Sequence, residues 1–112
     1  MMIYKVMRPA ELAEFETMER SSGSADDRRD GFIHFSLSSQ LPATLARHFS
    51  GEDDLTLLGF ESTDFGTDLK WEWSRGGDSF PHVYGTMELS QIRIRESVTL
   101  RPDGHQLPVG LP

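Results

Sequence analysis

The sequence predicts an α+β fold in which two early helices pack on a mostly antiparallel sheet or a pair of small sheets. Apolar residues recur at helical spacing twice in the first half of the chain, and from Leu55 onward short β-branched and aromatic segments alternate with turn residues. A single domain over residues 1–100 follows, with an irregular tail at 101–112.

Ile3 to Met7 is β-branched and aromatic and reads as a strand, with Ile3 and Lys5 on one face and Tyr4 and Val6 on the other. Pro9 suits the first turn of a helix, Glu11 and Glu14 complement its dipole, and Leu12, Phe15 and Met18 form the buried stripe. Residues 21–30, small and polar, read as a mobile loop that ends at the Asp30-Gly31 turn. Phe32 to Ser36 reads as a strand with His34 on the face of Phe32 and Ser36. Ser38 or Ser39 can cap the second helix, Pro42 lies within its first turn, and Leu41, Leu45 and Phe49 are its buried face up to a stop at Gly51.

Leu55 to Glu61 reads as a buried strand in which Gly59 marks a bulge or a close backbone approach. A turn at Asp64 to Asp68 leads to Lys70-Trp71-Glu72-Trp73-Ser74, whose strict alternation puts the tryptophans on a core face and Lys70 and Glu72 on a polar one. After Gly76-Gly77 come strands over Phe80 to Met87 and Ser90 to Leu100, and Pro102, Gly104, Pro108, Gly110 and Pro112 make the tail irregular.

The chain has 112 residues, no cysteine, and eleven Lys and Arg against eighteen Asp and Glu, a net charge of −7. Disulfides, thiolate nucleophiles and sulfur-bound zinc are excluded. The acidic excess lies before Thr86, and its field repels phosphate backbones, so duplex nucleic acid is a poor partner while small ligands remain possible. No apolar run has the length of a membrane span and the start lacks a secretory pattern, which points to a soluble, cytoplasmic protein. Phosphate-cradling glycine loops of the Walker or Rossmann type and a Gly-x-Ser-x-Gly elbow do not occur.

His34, flanked by aromatics and followed by Ser36 on the same face, can transfer protons, stack or hydrogen-bond, or can equally be a satisfied core histidine. His82 and Tyr84 place a base and a phenol on one face of a strand that Pro81 marks as an edge, against the plainer reading of an edge histidine and a packing tyrosine. Glu72 is a candidate base or hydroxyl-orienting carboxylate, or simply a solvated one. His34, His48, His82 and His105 are scattered without ligand spacing, so no metal is expected.

Asp30-Gly31-Phe32-Ile33-His34-Phe35-Ser36 with Gln40, the Leu55-to-Phe60 strand, Trp71-Glu72 and Phe80-Pro81-His82-Val83-Tyr84-Gly85 together resemble the bacterial domain-of-unknown-function family 952, from Ile3 to about Ile94. That family in turn resembles the ADP-ribosyltransferase fold. The resemblance implies that Gly31 to Ser36 and the following helix stand for the element whose ring stacks on nicotinamide, with His34 as that ring. It also aligns Ile3-Tyr4-Lys5 with the element that holds the ribose, which adds Tyr4 and Lys5 to the ligand-binding set with His34, Ser36 and Tyr84. Lys5 replaces a histidine there and, when charged, accepts no hydrogen bond. His82 stands where a glutamate would stabilise an oxocarbenium ion, and as a neutral imidazole it can hydrogen-bond ribose or act as a base.

The resemblance thus implies a domain that takes NAD as a substrate, or binds a related ADP-ribose nucleotide, and transfers or hydrolyses ADP-ribose, with His82 and Glu72 as catalytic candidates. The alternative is a non-catalytic nucleotide- or partner-binding module. A third reading, an RNA 2′-phosphotransferase-like enzyme, is suggested by a similar His-containing strand and opposed by the −7 charge.

Overall fold

A computed structural model describes residues 1–74 and 76–112. The chain runs through β1 (Met2–Met7), α1 (Pro9–Met18), β2 (Arg20–Ser21), α2 (Ala25–Asp30), β3 (Ile33–His34), α3 (Leu41–His48), β4 (Leu55–Glu61), β5 (Leu69–Trp73), β6 (Ser79–Val83), β7 (Met87–Glu88), β8 (Ile92–Arg101) and β9 (Gly104–Gln106). The α+β class is as the sequence predicts, with antiparallel pairing throughout the strands. They form a four-stranded sheet in the order β1-β4-β8-β9, a three-stranded sheet β3-β6-β5 and the short pair β2-β7.

The two larger sheets are tied where β1 meets the chain just after β3. Tyr4 N donates to Ser36 O at 2.8 Å and Ser36 N to Tyr4 O at 2.9 Å. This bridge carries His34 and Ser36 to the side of Lys5, and it is the reason the site exists where it does.

β1 is covered on both faces. Ile3 and Met7 pack with Phe15, Phe35, Phe60, Val83 and Met87, whereas Tyr4 and Val6 pack with Leu41, Leu45, Phe49, Leu57 and Val98. The Leu41, Leu45 and Phe49 stripe is buried as its spacing predicts. The α1 stripe is narrower than expected: Phe15 is buried, Leu12 only partly, and Met18 is 66% exposed. Met18 closes the helix, and the chain turns away at Glu19 in a left-handed conformation (φ 60°).

Further expectations are corrected. The loop expected at 21–30 contains α2, because Ser24 caps it, Asp26 and Asp27 open it, Arg28 and Arg29 close it, and Gly31 (φ 85°) ends it. The helix count therefore rises from two to three. The strand expected over Phe80 to Met87 splits into β6 and β7, and the irregular tail folds back as β9 on the end of β8. Neither Ser38 nor Ser39 caps α3: a 3-10 turn at Ser38–Gln40 precedes it, in which Gln40 Oε1 accepts from Leu37 N at 3.0 Å while its amide donates to Ser79 O. Finally, the tryptophans are not core residues, since Trp71 is 43% and Trp73 77% exposed. β5 is an outer strand of the three-stranded sheet, and the core covers its tryptophan face only at the start, where Leu69 packs beside its partner Val83; Trp71 and Trp73 run past that cover.

Gly59 serves both purposes its position suggests. The β4–β8 register shifts between Gly59 and Phe60, and a Cβ on Gly59 would lie 2.8 Å from Ile94 Cβ and 3.0 Å from a Tyr4 ring carbon. Because β4 is an inner strand, neither neighbour has room to retreat. Gly59→Ala is expected to lower stability by about 1–3 kcal/mol through overpacking; a urea midpoint equal to that of the wild type would refute it.

Candidate functional site

Asp27 is the hub of the site. Its position follows from the α2 cap, in which Asp27 N donates to Ser24 Oγ at 3.2 Å and Ser24 N donates to Asp27 Oδ2 at 2.8 Å. Gly23 (φ 90°) precedes the cap, and a Cβ there would collide with the Asp27 carboxylate. The carboxylate, only 1% exposed, faces Lys5 Nζ at 2.6 Å through Oδ2 and His34 Nδ1 at 2.6 Å through Oδ1. Lys5 Nζ also donates to His34 O at 2.9 Å, closing a ring of Lys5, Asp27 and His34. Burial alone would raise the Asp27 pKa, but the hydrogen bond from His34 and the charge and hydrogen bond of Lys5 overcome it and hold the carboxyl far below the usual carboxylate range. On the other side of the imidazole, His34 Nε2 lies 3.2 Å from Asp30 Oδ2.

His82 is the cross-strand partner of His34 in the β3–β6 register, and their ring centroids are 5.2 Å apart. Its Nδ1 is 2.8 Å from Glu72 Oε1, and Tyr84 OH donates to the same oxygen at 2.7 Å. The alternation that sets Glu72 opposite Phe80 across β5 and β6 also puts it on the face of His82 and Tyr84. The Tyr84 hydrogen bond, followed by that of His82, lowers the Glu72 pKa, and the same bond raises that of the Tyr84 phenol. Phe32 lies over this group, stacked on His82 at 4.2 Å and tilted against His34 at 4.6 Å and Tyr84 at 5.1 Å.

Both imidazoles border one cavity of about 230 Å³ that opens between α2, β1, α3 and the start of β6. Of the residues singled out from sequence, Tyr4, Lys5, His34, Ser36 and His82 contribute to its wall, whereas Glu72 and Tyr84 stand behind His82 and do not. Tyr4 is 1% exposed, and its hydroxyl donates to Pro112 O at 3.0 Å. Ser36 Oγ is 2.9 Å from Thr44 Oγ1. The Lys5 ammonium is committed to Asp27 and the His34 carbonyl, which makes it a positioning group for the histidine.

Sequence reasoning missed Asp27, Asp30, Thr44 and Arg47, all of which border the cavity. Asp27 had a legible signal, a Ser24-x-x-Asp27 cap followed by Arg28, Arg29 and Gly31. Arg47 had none, because a single arginine at the end of an amphipathic helix is ordinary. Among the described residues, no three or more His, Asp or Glu side chains converge as a metal cage, and no helix is long and apolar enough to cross a membrane.

The fold and this geometry can be set beside known proteins. The chain is 41% identical to protein CC0527 from Caulobacter crescentus, whose X-ray crystal structure superposes with a TM-score of 0.90 over 95% of this chain and 94% of that one. A double mutant of the same protein gives the same values, and its solution NMR structure matches at a TM-score of 0.82, covering 93% of this chain and 90% of that chain. No curated protein matches. Residues 6–94 match the family model described as "Protein of unknown function (DUF952)". That match spans the Asp27, His34 and His82 cluster and most of the chain, and the protein belongs to the DUF952 family.

Proposed function

We propose that the protein binds NAD or a related ADP-ribose nucleotide at the His34–His82 cavity, in the manner implied by its resemblance to the ADP-ribosyltransferase fold. The observation that carries the reading is the pairing of two imidazoles on one cavity wall, each fixed at Nδ1 by a carboxylate, with the Phe32 ring stacked on His82 and tilted against His34. With about 230 Å³, the cavity is smaller than the roughly 300–1,000 Å³ that enclose a drug-sized ligand. It therefore encloses one end of a dinucleotide and leaves the other on the surface.

The chemistry follows from the orientation of His82. The Glu72 carboxylate can only accept, so Nδ1 donates to it and Nε2 of the neutral ring is the acceptor. A water placed against Nε2 can lose its proton there as its oxygen bonds to the ribose anomeric carbon. The bond from that carbon to the nicotinamide nitrogen breaks, its electron pair stays with the nicotinamide, and the products are ADP-ribose, nicotinamide and one proton.

Calorimetric titration with NAD and with ADP-ribose tests binding. Heat is expected for wild type and a loss of affinity of tenfold or more for His34→Ala; silence with both ligands overturns the reading. Nicotinamide release in the wild type that collapses in His82→Ala supports the hydrolytic step. Binding without release assigns the site instead to a non-catalytic nucleotide-binding module, a reading favoured by the commitment of Lys5 to Asp27 and the position of Glu72 off the cavity wall.

A further inference from the structure

The cavity wall contains four fixed cations, Lys5, Arg8, Arg29 and Arg47, against three carboxylates, Asp26, Asp27 and Asp30. This inverts the balance of a chain whose net charge is −7. Three of the cations are already paired. Lys5 lies 2.6 Å from Asp27, and Arg29 lies 3.0 Å from Asp26 and 3.2 Å from Asp30. Arg8 grips Glu52 through Nε at 2.6 Å and Nη2 at 3.0 Å, with its guanidinium 4.5 Å over the Phe49 ring. Each of the three wall carboxylates is likewise answered by one of these cations. Arg47 alone is left over: among the described residues no carboxylate lies within ion-pair distance of it.

We infer that the α3 end of this cavity is a phosphate subsite, with Arg47 as its anchoring cation and a phosphate or diphosphate group as its ligand. The inference deepens the nucleotide reading and rests on it for the rest of the ligand, but its chemistry is separable. A planar guanidinium with no internal partner presents paired N–H donors at the spacing of phosphate oxygens, and the neighbouring pairs prevent the wall carboxylates from repelling the anion at full strength. The Ser36 and Thr44 hydroxyls lie on the same wall, and one can turn to donate to a phosphate oxygen while the other keeps their mutual hydrogen bond. His48, beside Arg47, is held below the ordinary imidazole value by burial and then by the Arg47 charge, so Arg47 supplies the positive charge of the subsite on its own. A phosphate at Arg47 directs the adjoining sugar of a nucleotide toward His34 and His82.

Titration of wild type, Arg47→Ala, Arg47→Lys and a control, Arg93→Ala, with inorganic pyrophosphate and with NAD tests the subsite. Arg93 is a suitable control because it is paired with Asp64 at 2.9 Å and does not border the cavity. Pyrophosphate binding is expected to weaken tenfold or more in Arg47→Ala, to recover partly in Arg47→Lys, and to be unchanged in Arg93→Ala. An equal loss in Arg93→Ala would reduce the effect to overall charge and overturn the subsite, as would a wild type that ignores pyrophosphate or an Arg47→Ala variant that binds it normally. If pyrophosphate binds through Arg47 while NAD does not bind, the subsite stands and the nucleotide reading falls. If NAD binds equally to wild type and Arg47→Ala, the nucleotide reading stands and the subsite falls.

Discussion

Replacing Asp27 by asparagine is expected to lower the unfolding free energy by about 3–5 kcal/mol, because the Lys5 ammonium is left buried without its counter-charge. Lys5 is only 9% exposed, so water cannot take over the lost interaction. The asparagine also has an amide where His34 Nδ1 needs an acceptor or the α2 cap does, so the imidazole and the helix start both loosen. Adding Lys5→Met to this variant is expected to restore part of the stability, since it removes the orphaned charge. The pH dependence has a definite sign. The folded carboxyl titrates below its unfolded value of about 3.9, so its contribution is complete above that pH and is lost as pH falls toward the folded pKa. Urea unfolding from pH 7 to pH 2 should therefore show a steeper acid decline for wild type than for Asp27→Asn. Parallel curves, or equal stabilities at pH 7, would remove Asp27 from its place as the hub.

A second large effect separates two kinds of aromatic residue. Phe35 is 1% exposed and sits between His34 and Ser36 with its ring against Phe60 at 5.6 Å and Phe65 at 5.4 Å. Phe35→Ala is expected to cost about 3–5 kcal/mol and to free the strand that presents both site residues. Trp73→Ala removes a larger ring, yet with 77% of the residue exposed it is expected to change stability by less than about 0.5 kcal/mol. Thermal or urea unfolding of the two variants decides the matter: comparable losses would mean that Trp73 is buried after all.

That contrast marks where the sequence is legible. Strand β4 and the Leu41, Leu45 and Phe49 face of α3 follow from patterns in which every position agrees on a direction. Trp71 and Trp73 alternate just as clearly and share the face that Leu69 turns toward the core, but alternation says nothing of how far along a strand the cover extends, and both tryptophans lie beyond it. The segment 21–30 misleads in another way. Its polar composition matches a loop, while the order of its residues, cap first, acids next, bases last and glycine after, encodes a short helix. The site was half visible: His34, Ser36 and His82 lie together, but Asp27 was hidden by the loop reading and Arg47 matters only through the absence of a partner, which no linear pattern records.

The position of β1 has a consequence for how the chain reaches this state. It is covered on both faces and pairs with a strand 49 to 59 residues away, Met7 opposite Thr56 and Met2 opposite Glu61, while the Tyr4 hydroxyl reaches Pro112 across 108 positions. Loop closure must therefore precede reward, and such non-local topologies fold on the slower, millisecond-to-second side of the range. Apart from the single bridge to Ser36, the Ile3-Tyr4-Lys5-Val6-Met7 segment has no strand to pair with until β4 is in place. Before folding that segment is apolar apart from Lys5, and a lysine within a short apolar strand opposes edge-to-edge pairing with another chain. The lysine that neutralises Asp27 in the folded protein is thus also the one charge this segment carries before it folds.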